Sequence, residues 1–139
     1  GVALVTGMGV VIKDATTVEL PKAETVANIY VATKERIPTG INAARVDMSD
    51  YDEDFVNIAK GEFLGLERYT DGEKFATDQY KEADFSGEVA DGTPVSVGAD
   101  GKWQKLTTGS SKYVYEKPFK DNGHDLIMIR VEADAVAKA

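Results

Sequence analysis

The second half of the chain alternates short apolar runs with turn dipeptides, a pattern typical of antiparallel sheets. Tight hairpins require a positive φ at their central residues, and Asx–Gly pairs adopt it at little cost. The pairs are Asp71-Gly72, Asp91-Gly92, Asp100-Gly101 and Asn122-Gly123. We therefore predict a mainly β protein with turns at these positions, each flanked by strands.

The predicted strands of this half lie on either side of the turns. Residues 93–97 alternate, with two valines on one face. Residues 113–115 form a strand that ends before a proline-containing loop. Residues 126–131 are apolar at consecutive positions, which is typical of a central strand covered on both faces. The remaining predicted strands are residues 63–70, 73–77 and 102–106.

The first half of the chain gives a weaker pattern. Residues 10–12 and 17–20 have the composition of short strands, and Pro21 closes the second. Residues 28–33 fit either a strand or one face of a helix. Residues 51–60 fit a strand or a short helix as well: the spacing of the apolar side chains and the early acidic residues are compatible with a helix that ends near Lys60.

The length of 139 residues fits one domain. We predict a compact β-sandwich or partly closed β-barrel with at most one or two short helices. Residues 1–12 would form an N-terminal arm and the first strand, and residues 13–132 a single β-rich domain. Residues 133–139 are an Ala-rich tail that we expect to fray or to form one helical turn.

Composition restricts the function. The chain has no cysteine, which excludes disulfides, thiolate metal sites and thiol catalysis. Its formal net charge is −8, and without a basic cluster it is poorly suited to nucleic acids or anionic membranes. No apolar run approaches the roughly 18 residues of a transmembrane helix. We predict no cofactor, no nucleic-acid partner and no membrane partner.

Two glycines near the start resemble the opening of a dinucleotide fingerprint. Gly7 and Gly9 have the required spacing, but Ile12 stands where the third glycine belongs, and strand-like residues follow. A bend between the arm and the first core strand explains this sequence better. Residues 108–112 resemble part of a phosphate-binding loop but lack its upstream glycine, so we predict an ordinary loop there.

The acidic stretch at residues 47–54 resembles a calcium-binding loop in part. Phe55 and Gly61 occupy the positions where such a loop needs its glycine and its bidentate glutamate. A solvated acidic segment is the alternative that we favour. The alternating carboxylates are Asp50, Asp52 and Asp54.

No catalytic arrangement emerges from the remaining residues. His124 is the single histidine, and Ser110, Ser111 and Asp125 are the nearest candidates for a catalytic triad. No nucleophile-elbow sequence surrounds either serine, so we expect His124 to be an exposed residue after a turn. Trp103 is predicted to lie in the core. We therefore predict that the chain is not an enzyme.

The turn-and-strand pattern of residues 55–132 resembles the capsid decoration, or head-stabilising, proteins of tailed bacteriophages. The longest similar segment is residues 87–103, which contain two of the Asx–Gly turns and end on Trp103. Shorter similar segments are residues 60–63, 75–80, 113–116, 122–123 and 126–131. The first 50 residues carry no such resemblance.

This resemblance implies a structural protein of the virion. Such a protein would bind the major capsid protein on the outer surface of the head, as a homo-oligomer that is often a trimer, and would stabilise the expanded shell. It would assemble in the bacterial cytoplasm, which suits a chain without cysteine. The alternatives from other classes are a phage tail or connector protein, a carbohydrate-binding β module, and a small hydrolase that uses acidic residues.

The N-terminal residues are the candidate partner-binding site. Val2, Leu4 and Val5 are apolar and precede the flexible Gly7 and Gly9. An arm of this kind could add as a strand to a capsid protein or to a neighbouring subunit. The alternative is that Leu4 and Val5 form an edge strand of the chain's own sheet.

Overall fold

The computed structural model describes residues 3–21, 29–34, 57–60 and 64–138. These residues are mainly β, and their strands pair antiparallel into three sheets that pack together without closing into a barrel. The prediction of a mainly β fold is therefore confirmed. The first two sheets contain β1 (Leu4–Val5), β2 (Gly9–Ile12), β3 (Val18–Glu19), β4 (Tyr30–Thr33), β5 (Asn57–Ile58) and β6 (Gly65–Glu67).

The third sheet has five strands, and a short helix, α1 (Glu82–Phe85), lies in the chain after the first of them and before the other four. Its strands are β7 (Lys74–Thr77), β8 (Thr93–Val97), β9 (Trp103–Lys105), β10 (Ser110–Asp121) and β11 (His124–Ala137). Their spatial order is β7-β11-β10-β8-β9. β11 is therefore a central strand, as residues 126–131 predicted. The four-stranded sheet has the order β3-β2-β4-β6, and β1 pairs with β5.

The four-stranded sheet lies between two hydrophobic clusters. Val31 belongs to the larger cluster, together with buried residues of the five-stranded sheet. The next residue, Ala32, belongs to a smaller cluster with Val10 and Ile58. Because successive side chains of a strand point to opposite faces, β4 contributes to both clusters. The result is a layered β structure with the larger core between its two main sheets.

A glycine turn, residues 6–9, connects the two main sheets. The Gly7 carbonyl oxygen accepts hydrogen bonds from Thr77 Oγ1 at 2.9 Å and from Trp103 Nε1 at 3.3 Å. The Gly7 N–H donates to the carbonyl oxygen of Ala32 at 2.9 Å. Trp103 is fully buried, which confirms its predicted place in the core. This one turn is thus hydrogen-bonded to β4 of the four-stranded sheet and to β7 and β9 of the five-stranded sheet.

Several strand predictions are confirmed, and the two alternatives in the first half resolve toward strands. Residues 93–97 match β8, and residues 10–12 lie within β2. The ambiguous residues 28–33 contain a strand, β4. Of the two alternatives for residues 51–60, the strand holds at Asn57–Ile58. Residues 51–56 lie outside the described residues.

Two of the Asx–Gly turns are hairpins and two are not. Asn122-Gly123 joins β10 to β11, and Asp100-Gly101 lies between the paired β8 and β9. Asp71-Gly72 instead separates β6 from β7, which belong to different sheets, and Asp91-Gly92 precedes β8. All four glycines have a positive φ. The dipeptide therefore predicts a tight turn correctly without predicting which strands pair.

Three other predictions are wrong because β10 and β11 are longer than expected. β10 continues through Pro118, which pairs with Ile127, so no loop begins there. Residues 110–112 belong to the start of β10 rather than to a loop. The Ala-rich tail neither frays nor forms a helical turn up to Ala137, which pairs with Ser110. Pairing between the two strands outweighs the low β-propensity of alanine.

The central strand β11 is covered less completely than predicted. Ile127, Ile129 and Val131 are buried, whereas Leu126, Met128 and Arg130 between them are half-buried. One face of the strand therefore packs in the larger core, and the other face lies partly open to solvent.

The glycine turn gives a stability prediction at Gly9. A Cβ atom added there would overlap the Val97 side chain and lie 3.1 Å from Ile29 Cγ2. We expect Gly9→Ala to lower the free energy of unfolding by about 1–3 kcal/mol, as overpacking of a filled core does. Gly87→Ala is the matched control, because nothing lies within 4 Å of its added Cβ. Urea unfolding of both variants tests this, and an unaffected Gly9→Ala would contradict the described contact.

Two buried serines give a second prediction. Ser111 Oγ donates to the Val95 carbonyl oxygen at 2.7 Å and accepts from the Tyr113 N–H at 3.1 Å. Ser96 Oγ is also buried but has no hydrogen-bond partner in the described structure. We expect Ser111→Ala to lower the free energy of unfolding by about 1–3 kcal/mol, and Ser96→Ala to be neutral or stabilising. Equal losses in thermal unfolding would contradict the hydrogen-bond assignment.

Candidate binding surface

The β10–β11 hairpin extends beyond the rest of its sheet. β8 pairs with β10 only at Val114 and Tyr115, and β7 pairs with β11 only at residues 127–130. Residues 117–126, called the hairpin tip below, pair only within the β10–β11 hairpin, and no other described strand pairs with them. The outer edges of this ribbon therefore carry backbone groups that another strand could pair with.

The turn of the hairpin tip has the geometry of a tight two-residue connection. Asp121 pairs with His124, and the two residues between them, Asn122 and Gly123, have φ values of 48° and 82°. A positive φ at both positions is the requirement of a type I′ turn, which matches the twist of paired strands. Pro118 is compatible with β10 because β8 does not reach it, and proline is tolerated on an edge.

The β9 edge of the five-stranded sheet is covered by the chain itself. The Trp103 N–H donates to the Gln79 carbonyl oxygen at 2.9 Å, and the Lys81 N–H donates to the Trp103 carbonyl oxygen at 2.9 Å. The Lys105 N–H donates to Asp84 Oδ2 at 3.0 Å. Residues 79–84 thus satisfy the outer groups of β9, which closes this edge to other chains.

An ion cluster fixes the base of the hairpin. Glu116 lies where the pairing register shifts between Tyr115 and Lys117, as in a β-bulge. Its carboxylate contacts Lys74 Nζ at 2.6 Å and Arg130 Nη1 at 3.2 Å. The Lys74 hydrogen bond is the main cause that lowers the pKa of Glu116, and burial opposes it. The cluster joins three adjacent strands just below the tip.

Arg130 extends this cluster to the turn before β8. Its guanidinium contacts Asp91 at 3.1 Å and also binds Glu132. The hydrogen bond to Glu132 is the largest cause that raises the pKa of Arg130. Since a guanidinium stays charged at any ordinary pH, the charge of the cluster changes with pH through its carboxylates.

A cleft of about 600 Å³ opens where the hairpin tip overhangs α1. Phe85 stacks on Tyr115 at 5.5 Å between ring centroids with 27° between the planes. Tyr80 meets Phe85 edge-on at 5.7 Å and 89°. The other wall is formed by the tip residues Pro118, Phe119, Lys120, Asp125 and Leu126 and by the adjoining Ile127. The cleft therefore has an aromatic floor and a partly polar rim.

The rim of the cleft carries more negative than positive charge. Glu82 and Asp125 line it, and the cationic side chain among the lining residues is Lys120. Lys120 Nζ lies 3.5 Å from Asp125 Oδ1, and both side chains are mostly exposed. Burial, followed by the negative charges of Asp125, Glu82 and Asp78, raises the pKa of Tyr80. A cation entering the cleft would thus meet a favourable potential.

The predicted N-terminal site lies in the chain's own sheet. Leu4 pairs with Ile58 and Val5 with Asn57, and Leu4 packs against the smaller hydrophobic cluster. This is the alternative in which these residues form a strand of their own chain. Val2 lies outside the described residues. The assignment of Val2, Leu4 and Val5 to a partner stays a prediction.

The other sequence candidates do not meet in one site. Gly7 and Gly9 belong to the glycine turn, which a strand follows rather than a helix. His124 is exposed at the hairpin tip, whereas Ser110 and Ser111 lie at the opposite end of the same hairpin. The acidic residues 47–54 lie outside the described residues. Within the described ranges no three or more His, Asp or Glu side chains gather as a metal site would require.

The aromatic residues of the cleft were missed by the sequence reasoning. Tyr80 and Phe85 lie in a segment without a turn dipeptide, and Phe119 follows a proline that suggested a loop. The available signal was the Asn122-Gly123 dipeptide itself, which favours a two-residue hairpin with strands directly on both sides. A strand assignment through Pro118 would have predicted the projecting hairpin.

Comparison with known proteins identifies no relative: no family model, no curated protein and no solved structure matches the chain. In the part of the chain that the structure describes, no helix has the length and apolar character needed to cross a bilayer. The candidate surface therefore has to be interpreted from its own geometry.

The ion cluster gives a prediction about pH. A carboxylate whose pKa is lowered by folding stabilises the folded state above its unfolded pKa, and this contribution is lost as the pH falls. For Glu116 the loss begins near its ordinary value of 4.5 and continues below it. The stability difference between the wild type and Glu116→Gln should be largest above pH 5.5 and should shrink steadily toward pH 3.

Urea unfolding at several pH values measures this difference. Glu88→Gln is the matched control because Glu88 is exposed and lies outside the cluster. A Glu116→Gln difference that stays constant from pH 6 to pH 3 would show that the cluster does not stabilise the hairpin base through charge.

Proposed function

We propose that this chain is a structural docking protein that decorates the outer surface of a phage capsid. The observation that carries the proposal is the projecting β10–β11 hairpin with its open edges. A free strand edge supplies backbone hydrogen bonds to another chain, and side chains beside it supply specificity. The resemblance of residues 55–132 to phage decoration proteins supplies the class of partner, which is the major capsid protein.

The distribution of protected and open edges supports a docking role. Natural proteins cover or charge the edges of their sheets to prevent uncontrolled pairing. Here residues 79–84 cover β9, while the hairpin tip is left without a strand neighbour among the described residues. The net charge of −8 keeps the chain soluble at high concentration and away from packaged DNA. Decoration of a shell as a homo-oligomer, such as a trimer, is part of the same proposal.

The exposed ring of Phe119 provides the test of this proposal. Phe119 is 38% exposed on the hairpin tip, and Ile12 is 51% exposed on β2, in the other main sheet. Phe119→Ser should weaken binding to expanded, undecorated capsids about tenfold or more, as loss of an aromatic anchor does. Ile12→Ser is the matched control and should bind like the wild type. Both variants should keep a cooperative unfolding transition, because neither side chain belongs to the buried core.

Co-sedimentation with capsids built from the major capsid protein of the same phage measures the bound copies per shell. Saturable binding at a fixed ratio, lost in Phe119→Ser alone, is the expected result. Absence of wild-type binding would overturn the decoration role. Loss in Ile12→Ser with retention in Phe119→Ser would place the docking face on the N-terminal sheets instead.

A further inference from the structure

The cleft beneath the hairpin tip combines two features that suit one class of ligand. Its floor is formed by the rings of Tyr80 and Phe85, backed by Tyr115. Its rim carries the carboxylates of Glu82 and Asp125. Aromatic rings attract cations, and carboxylates bind ammonium or guanidinium groups through charge-assisted hydrogen bonds.

The shape of the cleft suits a long side chain with a charged end. An apolar stem can lie against aromatic surface while its cationic head stays at the wet rim. A volume of about 600 Å³ lies within the range of ordinary ligand sites. Lysine and arginine are the protein side chains with this combination of stem and head.

We propose that the cleft binds the side chain of a lysine or arginine on a partner protein. The assignment of that partner as the capsid protein rests on the function proposed above. Charge complementarity favours this occupant, because two carboxylates, Glu82 and Asp125, line the cleft together with one cation, Lys120. The net charge of −8 on the whole chain also attracts a basic partner.

Lys120 acts in this site as an internal competitor. Its ammonium group lies 3.5 Å from Asp125 Oδ1, and its side chain is 76% exposed. An exposed ion pair of this kind is weak, so an incoming cation can replace it at small cost. Removal of the Lys120 charge should therefore strengthen binding of a cation, whereas removal of Glu82 or Asp125 should weaken it.

A carbohydrate fits the cleft less well. Sugar recognition by a β module uses coplanar exposed rings, but Tyr80 and Phe85 are perpendicular to each other at 89°. Phe85 stacks on Tyr115, and Tyr115 is only 4% exposed. The rings thus form a corner rather than a flat platform. The experiment below includes a sugar among its probes to test this alternative.

The first experiment titrates the full chain with N-acetylarginine amide and follows the ring signals of Tyr80 and Phe85 by NMR. The neutral isostere N-acetylcitrulline amide and N-acetylglucosamine are the comparison probes. Saturable binding of the arginine probe alone, with a dissociation constant on the order of millimolar, is expected. Equal binding of the citrulline probe, or stronger binding of the sugar, would overturn the cation site.

Variants then test the sign of each charge. Glu82→Gln and Asp125→Asn should each weaken arginine binding about two- to fivefold, and Lys120→Gln should strengthen it by a similar factor, as exposed ion pairs do. Glu88→Gln, an exposed acid outside the cleft, should leave binding unchanged. Equal weakening by Lys120→Gln and Glu82→Gln would contradict an electrostatic site.

Capsid co-sedimentation of the double variant Glu82→Gln, Asp125→Asn separates this inference from the proposed function. Loss of capsid binding in the double variant together with weaker arginine binding supports both. Undiminished capsid binding by the double variant would overturn the role of the cleft in docking and leave the decoration function standing. Selective arginine binding by a wild type that binds no capsid would support the cation site and overturn the capsid as its partner.

Discussion

The structure depends on the backbone of one turn, in which Gly7 accepts two side-chain donors from the opposite sheet. Trp103 and Thr77 reach this carbonyl oxygen from β9 and β7. Burial of the Trp103 ring contributes a few kcal/mol by itself, but its N–H would be left unsatisfied without the turn. The close approach of β2 to β8 further requires a residue without a Cβ at Gly9. The two sheets therefore share one core only in this register.

This fixed body gives the hairpin a rigid base. Glu116 links β7 and β11 to the bulge of β10 through Lys74 and Arg130. Beyond that point the ribbon is held by its own pairing, and an isolated two-stranded ribbon is only marginally stable. Local opening should accordingly be easiest at the hairpin tip and hardest near Trp103. This gradient would give the docking element proposed above a stiff base and an adaptable end.

The sequence predicted the local structure better than the arrangement of the sheets. Asx–Gly pairs place a positive φ correctly because that preference is intrinsic to the two residues. Pro118 and the alanines before Ala137 were misassigned because pairing with a long partner strand decides their structure, and that partner lies elsewhere in the chain. The cleft could not be predicted for the same reason. Phe85 and Phe119 are separated by 34 positions in the sequence, and only the fold places both in the lining of one cleft.

The charged residues of the hairpin tip restrict what an open edge can bind. Lys117, Lys120, Asp121 and Asp125 all lie on the ribbon and are exposed, and charges on an edge discourage pairing with arbitrary strands. A partner must then compensate these charges to reach the backbone. In the binding proposed above, the acidic rim of the cleft selects for a basic side chain at the same place. Edge pairing and charge recognition would then be parts of one surface, in which the backbone supplies affinity and the cleft supplies the choice of partner.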